Sequence, residues 1–181
     1  MKHLLYGMIF ILVSGSAQAQ SDPDAGPQGS EPPMTLNRLA QIILALDPDA
    51  VVQGAMFEFT IRDVPVLVVT DPRADRMRAM VPIRAAEGLD AAELMRLMQA
   101  NFDSALDARY AVAQGRLWGV FIHPLSPLER DQFLSGVAQT VNVAQSYGQT
   151  YSGGAQVFGG GDSNGIYEQL LEDLRERGEE L

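Results

Sequence analysis

The sequence has 181 residues, of which 46% are hydrophobic, and it carries a formal net charge of −10 at pH 7 without any cysteine. The length suits one domain with tails, and the negative charge disfavours nucleic acid and anionic membrane surfaces as partners. The lack of cysteine excludes disulfide bonds, thiol chemistry and cysteine-ligated metals, so stability must come from a hydrophobic core.

The first 19 residues have the three parts of a secretory signal peptide. Lys2 gives a positive start, residues 4–13 form an apolar run, and Ala17-Gln18-Ala19 is a small-x-small cleavage pattern. An apolar helix of about ten residues spans roughly 15 Å, which is half the thickness of a bilayer core. We therefore predict export to the periplasm, cleavage after Ala19 and no stable membrane insertion of the mature chain. Full secretion is the alternative.

A folded domain is predicted over residues 35–148, after a leader over residues 20–34. The leader is rich in proline, glycine and acidic residues, a composition typical of disorder. Thr35 is a suitable N-cap for an amphipathic helix over residues 36–46, which Asp47-Pro48-Asp49 ends.

Three strands are predicted after this helix. Residues 56–62 alternate between apolar and polar side chains, residues 66–70 are apolar and β-branched, and residues 76–83 alternate again. Pro82 suggests that the third strand ends there or lies at a sheet edge.

The arginines around the third strand are the one basic concentration of the sequence: Arg73, Arg76, Arg78 and Arg84. They could receive an anionic segment of a partner. Pairing with neighbouring acids such as Asp71 and Asp75 is the simpler interpretation.

A second helix begins after Asp90, which is a suitable N-cap. Two further strands, over residues 109–113 and 116–122, are joined by Gln114-Gly115 and therefore predict a hairpin. The stripe of the helix that is predicted to be buried contains Leu94, Leu97, Met98, Phe102 and Ala105.

The third helix is predicted to open with Ser126 as N-cap and Pro127 as its first residue, and to stop at Gly148. The order of elements is then α-β-β-β-α-β-β-α. Consecutive strands with short connections predict an α+β fold, with an antiparallel five-stranded sheet, helices packed on one side and flexible tails.

The C-terminal tail consists of a linker and a helix. Residues 149–165 contain six glycines and predict a flexible linker. Residues 166–181 predict an acidic amphipathic helix with an apolar stripe of Ile166, Leu170 and Leu174. Because so short a helix is marginal in water, the stripe must dock onto this domain, a second copy or another protein. One hypothesis is that it covers a hydrophobic groove and competes with a client.

The order of elements over residues 35–148 resembles the type III secretion chaperone-like fold, which YbjN-like proteins share. The stretches that carry the resemblance are FTIRDVPVLVVTD, RMRAMVPI and LDARYAVAQGRLWGVFIHPLSPL. The resemblance implies a small, often dimeric, non-enzymatic protein, and the chaperones of the group bind extended segments of partner proteins. It implies no catalytic residues. Those chaperones meet their clients in the cytosol, whereas this chain has an export signal.

Catalytic chemistry has little support in the sequence. His123 is the only histidine after the signal peptide, and a lone histidine lacks the partners of a catalytic triad, so we expect it to close the turn into the third helix. The glycine-rich stretch over residues 159–165 lacks the distal glutamate of a calcium loop. No catalytic residue, cofactor or metal is predicted.

The strand over residues 116–122 is apolar on both faces. Trp118, Val120 and Ile122 share one face with Arg116, while Leu117, Gly119 and Phe121 share the other. Helices can cover only one face, so the second needs a partner or another protomer. A buried core position is the favoured alternative for Trp118. The predicted partner-binding residues are Trp118, Val120, Ile122, Ile166, Leu170 and Leu174.

These observations predict a non-enzymatic, chaperone-like binding module that holds a peptide or protein segment in the periplasm. A homodimer is one option for its assembly. The alternatives are a periplasmic enzyme with an unrecognised site and a structural envelope-assembly protein.

Overall fold

The computed structural model describes residues 31–103, 106–148 and 164–178. The predicted signal peptide, residues 20–30 of the leader and most of the predicted linker lie outside these residues. The described end of the leader is ordered rather than disordered, because Met34 is buried and its N–H donates to the carbonyl of Ser126 at 3.0 Å. Within the described part of the chain, no helix is long and apolar enough to cross a membrane.

The described residues confirm an α+β fold. The helices are α1 (Leu36–Leu46), α2 (Ala91–Asp103), α3 (Arg130–Gln145) and α4 (Asn164–Gly178). The strands are β1 (Val51–Gln53), β2 (Met56–Ile61), β3 (Val64–Asp71), β4 (Arg76–Ala85), β5 (Arg109–Ala113) and β6 (Arg116–Pro124). They form one sheet in the order β1-β2-β3-β4-β6-β5, in which every neighbouring pair is antiparallel.

The strand register places one row of apolar side chains on the helix side of the sheet. Phe57 pairs with Val68, Val68 with Ala79, and Ala79 with Phe121, and all four residues are buried. Because side chains alternate along a strand, the residues that precede and follow each of these four in its own strand lie on the opposite face of the sheet. The core therefore lies between one face of the sheet and the helices.

Helix α3 crosses this face at close range. A side chain at Gly119 of β6 would lie 3.0 Å from the carbonyl oxygen of Thr140, and one at Gly136 of α3 would lie 2.4 Å from the ring of Phe121. A side chain at Gly136 would force the ring of Phe121 to move, and one at Gly119 would press on the backbone of α3. The two glycines therefore allow α3 to pack closely on the face of β6 that carries Leu117 and Phe121.

The sheet has six strands, not the predicted five, because β1 pairs with β2 as an additional edge strand. Val51 and Val52 are both exposed, so no alternation of buried side chains marks this strand in the sequence. Backbone pairing across a tight turn, in which Gly54 has a φ of +61°, forms it instead.

The prediction that Pro82 ends a strand or lies at an edge is wrong. Strand β4 continues to Ala85 and lies in the interior of the sheet, between β3 and β6. The register with β6 shifts between Pro82 and Arg84. This irregularity accommodates a residue that has no N–H to donate to its neighbour.

The predicted buried stripe of α2 is also wrong in most of its members. Leu97 is buried, as is Ala100, but Leu94, Met98 and Phe102 are exposed. The reason is that α2 packs beside the edge strand β5 rather than across the sheet, so only a narrow side of the helix is covered. Ala105 lies outside the described residues.

Helix α3 begins later than predicted. Its N-cap is Glu129, whose backbone N–H donates to the Gln132 side chain at 3.0 Å. Ser126 does not cap the helix, because its backbone N–H and its hydroxyl donate to the two carboxylate oxygens of Asp75, at 2.6 and 2.9 Å. Ser126 therefore pairs with Asp75, which is distant in sequence, instead of capping the helix as predicted.

The carboxylates of Asp75 and Glu31 accept hydrogen bonds, and we therefore expect the free energy of unfolding to fall in acid. The hydrogen bonds from Ser126 hold the pKa of Asp75 below its ordinary value, and the backbone N–H of Arg130, aided by Arg38, does the same for Glu31. The unfolded chain therefore takes up protons at a higher pH than the folded chain does. The two carboxylates therefore contribute their full stabilisation of the fold only above about pH 4.5, which is the ordinary pKa of Glu31. This stabilisation is lost as the pH falls through their lowered pKa values.

Urea unfolding of the wild type and of Asp75→Asn, at pH 7 and at pH 3, checks this prediction. The wild type should be more stable than the variant at pH 7, and the difference should narrow at pH 3. A difference that stays constant or widens in acid would contradict the assignment.

Candidate functional site

The face of the sheet turned away from the helices is called here the outer face. It carries a continuous apolar patch from β3, β4 and β6. Leu67 pairs with Met80, and Met80 pairs with Val120. The outer patch consists of Leu67, Val69, Met80, Trp118, Val120 and Ile122.

None of the described helices covers the outer patch. Ile122 is 56% exposed and Val69 is 38% exposed, while the neighbouring Phe121 and Val68 on the helix side are buried. The other members of the patch are half-buried and lie outside the core cluster. Apolar surface of this kind, contiguous and exposed, is typical of an interaction site.

Trp118 lies on the outer face, so the favoured alternative of a core position is wrong. Its indole N–H donates to the carbonyl oxygen of Ala113 at 3.0 Å, and the guanidinium of Arg116 lies 5.8 Å from the ring centroid. The inward position next to it is held by Gly119, where α3 leaves no space for a ring. The hydrogen bond and the cation–π contact hold the indole in place and leave it half-buried at the surface.

The described residues form open depressions along the outer face, of which two border the outer patch. One has a volume of about 420 Å³, and Arg76 and Arg78 lie in its lining beside Val69 and Ile122. The other, of about 400 Å³, borders Trp118 and contains more acidic groups. Its lining is Asp47, Asp49, Val51, Glu58, Phe59, Thr60, Pro65, Val66, Leu67, Pro82 and Trp118.

The arginines of the first depression interact only in part with the neighbouring acids: the charge of Arg76 helps to lower the pKa of Asp75, but in the described part of the chain neither Arg76 nor Arg78 forms a close ion pair. Asp71 accepts hydrogen bonds from the backbone N–H groups of Arg73 and Ala74, at 3.0 and 3.1 Å. Among the described residues, the ion pairs within 4 Å involve neither Arg76 nor Arg78. The guanidinium of Arg78 is therefore available to an anionic group beside the apolar patch, and Arg76 adds positive charge nearby.

Helix α2 presents a second exposed apolar surface, which includes three members of the stripe that is predicted to be buried: Leu94, Met98 and Phe102. Met95, Met98 and Phe102 are 67%, 53% and 75% exposed. Their spacing of three and four residues places them on one side of the helix. We call them, with the 38% exposed Leu94, the α2 stripe.

Polar contacts on the other side of α2 determine this orientation. The side chain of Asn101 accepts from the N–H of Tyr110 at 2.7 Å and donates to its C=O at 3.1 Å, which satisfies the free edge of β5 at that residue. The hydroxyl of Tyr147 donates to Glu93. Burial, together with this carboxylate, raises the pKa of Tyr147.

The predicted binding residues of the C-terminal helix are used within the chain itself. Leu170 and Leu174 are completely buried and belong to the same core cluster as α1 and α3. The side chain of Ile166 lies outside the described residues. Contact of these leucines with a partner stays a prediction, and it requires α4 to leave its place.

His123 lies beside a third depression, of about 460 Å³, which Ser135, Gln139 and Arg175 also line. The Nδ1 of His123 donates to the carbonyl oxygen of Pro124 at 2.8 Å, and the ring stacks on Phe121 with centroids 6.0 Å apart. This geometry agrees with a structural role at the turn before α3. The described residues contain no group of three histidines or acids arranged to hold a metal ion.

No family model matches this chain, and no curated protein matches it. Among solved structures, a chain of the ExsC–ExsE complex, known from its crystal structure, is similar in fold. The two sequences are 12% identical, the match covers 61% of this chain and 91% of that chain, and the TM-score is 0.49. A likeness of that degree assigns neither a family nor a function. Membership of the type III secretion chaperone-like or YbjN-like group therefore stays a prediction.

Proposed function

We propose that this chain is a non-enzymatic binding module that holds a peptide or protein segment on the outer face of its sheet. The observation that carries the proposal is the outer patch, which none of the described helices covers. One solvated face of an antiparallel sheet is ordinarily polar, but here six apolar side chains adjoin one another. A bound segment would remove this surface from water.

The outer patch has the elements of a recognition surface. Trp118 is an aromatic anchor already held by Ala113 and Arg116, so little side-chain freedom is lost when a segment packs on it. The depressions on the outer face can each take a side chain. Arg76 and Arg78 favour a segment that carries a carboxylate near its apolar residues.

We further propose that the protein forms a homodimer through the α2 stripe. An acidic chain repels its own copies, so self-association requires a contact that is free of like charges. The α2 stripe consists of uncharged side chains. Two copies of α2 packed antiparallel about a two-fold axis near Met98 would bring Phe102 of one protomer near Leu94 of the other.

The proposed place of action is the periplasm, after cleavage at Ala19. Support comes from the charged start, the short apolar run and the small-x-small pattern of the first 19 residues.

Site-specific photo-crosslinking tests the binding proposal. A crosslinking amino acid is placed at Ile122 on the outer face or at Leu44 of α1, which is 40% exposed on the helix side. The protein is purified gently from periplasm, and native mass spectrometry identifies any passenger. We expect crosslinks to a discrete segment from position 122 and none from position 44. Equal crosslinking from both positions, or a passenger-free protein, would contradict the proposal.

A further inference from the structure

Helix α4 fills a groove that α1 and α3 form on the helix side of the domain. Leu170 and Leu174, one helical turn apart, are completely buried there, and Tyr167 and Leu171 pack against the core from its margin. The hydroxyl groups of Tyr167 and Ser135 are 2.9 Å apart. The groove is therefore shaped for an amphipathic helix.

Arginines on both sides make the polar contacts at the rim of this groove. Arg175 of α4 lies 3.7 Å from a carboxylate oxygen of Asp131, and Arg177 of α4 donates to the carbonyl of Leu46 at 3.4 Å.

Arg62 lies 3.6 Å from a carboxylate oxygen of Asp173 and donates to the carbonyl of Gln169 at 3.3 Å. Arg130 donates to the carbonyl of Gly178 at 3.1 Å. Arg62 therefore favours a helix that has a carboxylate at the position of Asp173, and the carbonyl contacts of Arg62 and Arg130 set the direction of that helix.

Two features make α4 separable from the rest of the fold. Its ion pairs with the domain, Arg62–Asp173 and Arg175–Asp131, join partly exposed side chains, and such pairs hold an element weakly. The core beneath α4 also contains large buried side chains from other elements, among them Phe57, Phe133 and Leu39. Release of α4 would therefore leave most of the core in place.

We propose that the α1–α3 groove is a second partner-binding site, for an acidic amphipathic helix of another polypeptide, and that α4 occupies this site until such a helix displaces it. The partner helix would present two leucines four residues apart with a carboxylate near Arg62, as α4 does. The site lies on the opposite side of the sheet from the outer patch. The inference therefore stands independently of the proposed function.

The lack of cysteine makes release of α4 directly measurable. Leu174→Cys introduces a single thiol that a reagent reaches only when α4 leaves the groove. Val68→Cys, at a completely buried position of β3, is the matched control that requires global unfolding. We expect the Leu174→Cys thiol to react at least about tenfold faster than the Val68→Cys thiol, because local opening precedes global unfolding. Equal reaction rates of the two thiols would overturn the proposal. If Leu174→Cys lowers the melting temperature of the whole domain, Leu170→Cys is used for the same measurement.

Displacement is tested on the same full-length Leu174→Cys protein with a synthetic peptide that has the sequence of residues 164–181. A tethered helix has an effective concentration of about 1 mM, so peptide at about 1 mM should displace roughly half of α4. The thiol reaction should then accelerate about fivefold or more. A peptide with Leu170→Glu and Leu174→Glu should leave the rate unchanged. No acceleration by the first peptide, or equal acceleration by both, would overturn the proposal.

Discussion

Replacing Ile122 by aspartate is expected to weaken segment binding by about 30-fold or more. The side chain lies in the outer patch and borders the depression that contains Arg76 and Arg78. A bound segment would bury the new carboxylate against apolar groups, and interface changes of this kind cost about 2 kcal/mol or more. Since Ile122 is already 56% exposed, the folded domain should tolerate the change.

The measurement is a titration with the segment that the crosslinking identifies, made as a synthetic peptide. Leu44→Asp is the matched control, because it places the same charge at an exposed apolar position of α1. It should bind the peptide as the wild type does, and both variants should melt within a few degrees of the wild type. If Ile122→Asp and the wild type bind the peptide with equal affinity, the outer patch is not part of the binding site.

Replacing Met98 by glutamate is expected to convert the proposed dimer into a monomer. Met98 is at the centre of the α2 stripe, so in a two-fold interface the two new carboxylates would face each other. The dimer carries each substitution twice, and a cost of about 1.4 kcal/mol per protomer already weakens dimerisation about 100-fold. Exposure of Met98 in the folded chain means that the monomer itself should remain stable.

Sedimentation at several protein concentrations measures this effect. The wild type should show a monomer–dimer equilibrium that Met98→Glu shifts to the monomer, while Ile122→Asp should remain dimeric. A wild type that is monomeric at all concentrations would refute the α2 interface, and so would a Met98→Glu variant that remains a dimer. The two substitutions together therefore separate self-association from segment binding.

Local patterns were sufficient to predict most of the fold. Alternation of apolar and polar residues located β2 and β4, and Gln114-Gly115 located the β5–β6 hairpin, where both residues have a positive φ. Thr35 begins α1 as expected, since its side chain accepts from the N–H of Arg38. Strand alternation, the hairpin turn and the helix cap each depend on residues that are near one another in sequence. They can therefore be predicted from the sequence alone.

The apolar character of both faces of β6 likewise predicts an apolar patch on the side of the sheet away from the helices. Trp118, Val120 and Ile122 do share the face that none of the described helices covers. The sequence could not show that Leu67, Val69 and Met80 extend this patch, because their adjacency depends on the strand order β3-β4-β6.

Only the tertiary structure decided which apolar side chains are covered. Trp118 faces outward because α3 comes too close at Gly119, and Met98 and Phe102 are exposed because α2 packs at the edge of the sheet. Ser126 loses its predicted role as a cap because Asp75, distant in sequence, takes its hydrogen bonds. Periodicity determines that a residue lies on one side of its element, whereas burial depends on what packs there. Burial arises from contacts between segments that are far apart in the chain. The sequence by itself therefore determined the helices, the strands and the fold class. The surfaces that are available to partners depended on how these elements pack.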